Sequence, residues 1–117
     1  MEKLLNEEQM EYIVEKIKTR FVDKNLVEKK AHLEALGHEL INVENAIHLL
    51  NLDLKLYNEN PKWLRAEFEY QLTPEYADAM KKANIKKMEV DLDSARKQLE
   101  VTLKEIEVLK NMIEEEQ

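Results

Sequence analysis

The sequence predicts an all-α protein: an antiparallel coiled-coil helical hairpin with a short N-terminal helix, completed as an oligomeric bundle. Three observations predict it. Read in sevens, Leu26, Leu33, Leu40, Ile47 and Leu54 fall in one row, and Val22, Lys29, Leu36, Val43, Leu50 and Tyr57 fall in a second, three residues on. Two rows offset by three are the a and d positions of a heptad, an apolar seam that needs a partner helix. A second stretch offers that partner, because Ile85, Leu92, Leu99, Ile106 and Ile113 repeat in the same way, with Met88, Ala95, Thr102 and Leu109 between them. Finally, Gly 1 and Pro 2 in 117 residues leave little material for turns, so a few long elements are expected in place of many short ones.

The elements follow in order within a single helical domain, 1–117. Asn6 followed by Gln9 matches a capping box, with Glu7 and Glu8 well placed in the first turn. Met10, Ile13, Val14, Ile17 and Phe21 then form one apolar stripe, which predicts a short helix over 7–20. Such a helix is too short to stand alone and should dock near the start of the second. Asp23 is the expected cap of a long helix over 24–57, a rod of about 50 Å. Lys29 at a d position is expected to lay its stem on apolar surface and reach water with its ammonium. Gly37 within the seam costs about 1 kcal/mol against Ala and reads as a point of close packing or as a tolerated weakness.

Asn58-Glu59-Asn60-Pro61-Lys62 opens a connector over 58–73. Within it Leu64, Ala66, Phe68, Tyr70 and Leu72 alternate with polar residues as in a strand; the segment reads as irregular or as a short helix from Trp63, with a strand that pairs across a dimer as the alternative. Thr73 as cap and Pro74 at the first helical position then start a third helix over 74–114. Val101, Leu103, Val108 and Met112 widen its apolar face, which should meet the N-terminal helix in a small three-helix region. Glu114, Glu115 and Glu116 oppose the helix dipole, so fraying is expected there.

Composition bounds the chemistry. Charged residues at 37% with hydrophobic residues at 44% suit a helical protein with a real apolar pattern rather than a disordered chain. With no cysteine, thiolate catalysis and cysteine-ligated metal sites are excluded. Neither a signal-peptide start nor a membrane-length apolar run is found, so the expected place is the cytoplasm, or a host's cytoplasm for a viral protein. A net charge of -7 disfavours broad binding to nucleic acid.

His32, His38 and His48 each follow a Glu by four residues, but one acid and one histidine do not make a site. In His38-Glu39-Leu40-Ile41-Asn42 an Asn stands where a metalloprotease motif needs its second histidine. Catalytic residues, metals and cofactors are therefore not expected. Three groups of residues carry the functional reading. Tyr57, Trp63, Arg65, Phe68, Tyr70 and Tyr76 gather at the connector in the composition of a protein-binding surface. Leu49, Leu52 and Leu56 lie at c and f positions, off the seam, and form a candidate oligomer interface. Lys81, Lys82, Lys86 and Lys87 make a short basic patch, a weak candidate for nucleic acid acting across a dimer. The leading expectation is a non-enzymatic coiled-coil adaptor, inhibitor or assembly subunit with a protein partner and a homo-oligomeric state. A nucleic-acid-associated regulator and a structural scaffolding oligomer are the alternatives.

Overall fold

Residues 4–59 and 74–117 are described in the computed structural model, and they form three α-helices: α1 Glu7–Phe21, α2 Leu26–Glu59 and α3 Pro74–Glu116. No strand occurs among the described residues. The alternating segment 64–72 and the Thr73 cap lie outside them. By its contacts the chain divides into two compact units, one of 1–45 with 96–117 and one of 46–95, so that α2 and α3 each contribute to both.

In the first unit, α1 starts as its sequence dictates. Gln9 N donates to Asn6 Oδ1 at 2.8 Å, and Asn6 N donates to Gln9 Oε1 at 3.0 Å, which satisfies two amides that the helix itself leaves open. The start of α2 differs from expectation. Asn25, not Asp23, is the cap: Glu28 N donates to Asn25 Oδ1 at 2.8 Å, and Asn25 Nδ2 returns a bond to Glu28 Oε1 at 3.0 Å. Both residue types cap well, and the position two residues later wins because Val22 and Lys24 are held in the turn by bonds to Lys18 O and Phe21 O. Val22 accordingly leaves the seam and is 65% exposed.

The core of this unit joins all three helices. Ile17 and Phe21 of α1, Leu36 of α2, and Val108, Leu109 and Ile113 of α3 are buried together, with Val14, Leu26, Leu33 and Met112 among those packed around them. This burial is what stabilises α1, whose length alone would not. Ahead of α1, the amides of Leu4 and Leu5 donate to the two carboxylate oxygens of Glu100 at 2.7 and 3.0 Å, pinning the segment onto α3. Contacts between α2 and α3 run in opposite order along the two helices: Lys29 with Glu116, His32 with Glu105, and Glu39 with Gln98. Here the two helices are antiparallel.

Lys29 departs from the snorkelling expected of it. Its side chain is buried to within 3% of completely, and its ammonium pairs with Glu116 instead of reaching water. α3 is helical through Glu116, and this pair ties its last turn to α2. Gly37 also departs from the close-packing reading, since a Cβ built there would meet nothing within 4 Å and its φ is not positive. Gly37→Ala is expected to stabilise the protein by about 0.5–1 kcal/mol, through helix propensity and a less mobile unfolded chain. Urea unfolding should show a higher midpoint with an unchanged slope, and a lower midpoint would mean that the glycine is needed for packing.

In the second unit, Ile47, Leu50, Leu54 and Tyr57 of α2 and Ile85 and Met88 of α3 are half-buried, and Leu92 is buried. All of them occupy the predicted heptad rows. Leu49, Leu52 and Leu56, which stand off those rows, are 59%, 43% and 46% exposed.

Candidate functional site

Apolar side chains are exposed at several places among the described residues, and at two of them they line up along a helix or between helices. The first is the leucine face of α2 in the second unit. Its residues follow at intervals of three and four, so helical geometry sets them in one stripe on the side away from the seam. Each of these leucines wets apolar surface, and completing its burial would stabilise by about 1 kcal/mol per side chain.

The second surface is a groove between α1 and α3 in the first unit. It consists of two adjoining depressions of about 430 and 370 Å³ that share Val14 and Lys104 in their walls. Met10, Val14, Val108 and Met112 supply apolar lining, while Glu7, Glu11 and Glu15 edge it along α1. Lys104 Nζ lies 3.4 Å from Glu107 Oε2, so that wall carries a paired charge.

Beside the core lies a polar cluster. Arg20 and His32 both face the buried carboxylate of Glu105, Arg20 as a close ion pair and His32 with its Nε2 3.4 Å away without a hydrogen bond. The His32 ring packs on Phe21 with centroids 4.6 Å apart. Glu28, the acid one turn before His32, is taken up by Lys24 at 3.7 Å and by Asn25. His38 and His48 are exposed. Among the described residues no group of three His, Cys, Asp or Glu side chains is placed to hold a metal ion. Nor is any described helix long and apolar enough to cross a membrane.

Of the candidate protein-binding residues at the connector, Trp63, Arg65, Phe68 and Tyr70 lie outside the described residues. Tyr57 is half-buried on α2 and Tyr76 exposed on α3. The lysine patch is divided: Lys82, Lys86 and Lys87 are exposed, whereas Lys81 is half-buried. Sequence reasoning missed the α1/α3 groove, although it named Val108 and Met112 as widening the apolar face of α3. Their off-seam positions were the available signal; Val22, which borders the groove, was counted in the heptad row of the second helix but is the C-cap of α1.

This architecture defines an all-α protein with a three-helix bundle in its first unit. Compared with known proteins, the chain matches no family, no curated protein and no solved structure.

Proposed function

We propose that this is a non-enzymatic protein-interaction protein, a small coiled-coil adaptor, inhibitor or assembly subunit. In this reading α2 and α3 pack as a coiled-coil hairpin, and the leucine face of α2 joins a second copy of the chain. The exposure of Leu49, Leu52 and Leu56 on one helix face is the observation that carries it.

Magnitudes set the strength of that association. Each leucine already has about half of its surface covered, so completing its burial contributes about 1 kcal/mol, or about 6 kcal/mol for six leucines across a two-fold interface. The loss of translational and rotational freedom opposes this by about 4 kcal/mol or more. The six leucines alone thus leave a net of at most about 2 kcal/mol, so the residues flanking the stripe must contribute the rest of the association, and the dimer dissociates on dilution. Replacing all three residues (Leu49→Gln, Leu52→Gln, Leu56→Gln) is expected to abolish self-association while leaving helix content and the thermal midpoint of the dilute protein nearly unchanged. Sedimentation equilibrium and circular dichroism read the two effects. A variant that keeps the wild-type mass distribution but melts much earlier would show that the leucines are covered within one chain, and the proposal would be lost.

A further inference from the structure

We infer that the α1/α3 groove of the first unit is a second, separate docking site, and that its occupant is a basic amphipathic helix of a partner protein. The groove extends along α1 from Glu7 to Val22, roughly 22 Å, the length of about four helical turns. Met10, Val14, Val22, Val108 and Met112 give it an apolar strip that the apolar face of a helix could cover, and charged or polar side chains make up the rest of the lining. Met10 and Met112 are unbranched and adapt to the shape of what they meet, and Val22 stands exposed at one end. An added helix lying there would give the three-helix unit a fourth member, in the helix-in-groove mode.

The charge of the rim selects the occupant. Glu7, Glu11 and Glu15 follow at intervals of four and so form one acidic row along α1, with Glu115 on α3 at the far end. Lys104 is matched by Glu107, which leaves Lys18 as the remaining cation in the lining of these two depressions. A helix with Lys or Arg beside its apolar stripe complements that row. Phosphate-bearing ligands are repelled by it, and so is α1 of a second copy, which brings the same acidic row. The site shares no residue with the leucine face, so either surface can fail alone.

A synthetic peptide of about 15 residues tests this, with leucines spaced on one helix face and lysines flanking them. It is labelled and titrated with the full chain, with fluorescence anisotropy as the readout. A control peptide of the same composition has its leucines scattered around the helix. The patterned peptide should saturate at one per chain and bind about tenfold tighter than the scattered one. The variant Glu11→Lys/Glu15→Lys, altered at two exposed positions outside the core, should lose about tenfold in affinity, and Val22→Lys should lose a similar factor. The triple leucine-to-glutamine variant should bind as the wild type does. Equal binding of both peptides would reduce the effect to unspecific charge attraction and overturn the inference. Loss of binding in the leucine variant, release of protein self-association by the peptide, or absence of binding would overturn it as well.

Discussion

Leu109→Ala is expected to destabilise the protein by about 3–4 kcal/mol, the largest effect of any single truncation considered. Leu109 is wholly buried at 0% exposure and belongs to the cluster that joins α1, α2 and α3. Removing its branched end takes away the transfer free energy of the lost methyl groups and leaves a cavity that three helices cannot close at once. That loss is a large part of the roughly 5–15 kcal/mol available to a domain. Leu103→Ala, on the same helix at a position that is 43% exposed, should cost less than about 1 kcal/mol. Urea unfolding of the two variants side by side makes the comparison. Similar losses in both would contradict a core centred on Leu109.

The Lys29–Glu116 pair should respond asymmetrically to removal of its two partners. Glu116 retains 39% exposure and can be hydrated if its cation is lost, whereas Lys29 has almost no access to water. Glu116→Ala therefore strands a buried ammonium and should cost about 2–3 kcal/mol, together with fraying of the last turn of α3. Lys29→Met fills the same space with an unbranched apolar chain and frees a half-exposed carboxylate, so its cost should be below about 1 kcal/mol, or it should stabilise. Thermal and urea unfolding measure both changes, and hydrogen exchange of the amides near Glu116 reports the fraying. Equal losses in the two variants would show that the contribution is mutual attraction at the surface instead of compensation for a buried charge.

The long helices were legible because burial follows period. The heptad rows that α2 and α3 actually carry, Leu26 to Tyr57 and Ile85 to Ile113, are all buried or half-buried, Lys29 and Thr102 included. The Asn6 cap was legible because a capping box is a local pattern. What escaped prediction depends on residues distant in the chain. Glu116 meets Lys29 across 87 positions, and no local rule could have named it. Glu100 occupies a b position, which a heptad reading leaves to solvent, yet it is buried because the Leu4 and Leu5 amides fold onto it. The groove escaped for the same reason: it exists only once α1 has docked on α3. The leucine face, by contrast, was visible at once, since Leu49, Leu52 and Leu56 break the polar pattern of c and f positions.

The leucine face is proposed as a surface for another chain. Its most direct test is the solution mass of the full wild-type protein by size exclusion with multi-angle light scattering over a wide range of concentration. A mass that rises above the single-chain 13.9 kDa as concentration increases is expected. A mass that stays at that value at every concentration would contradict it.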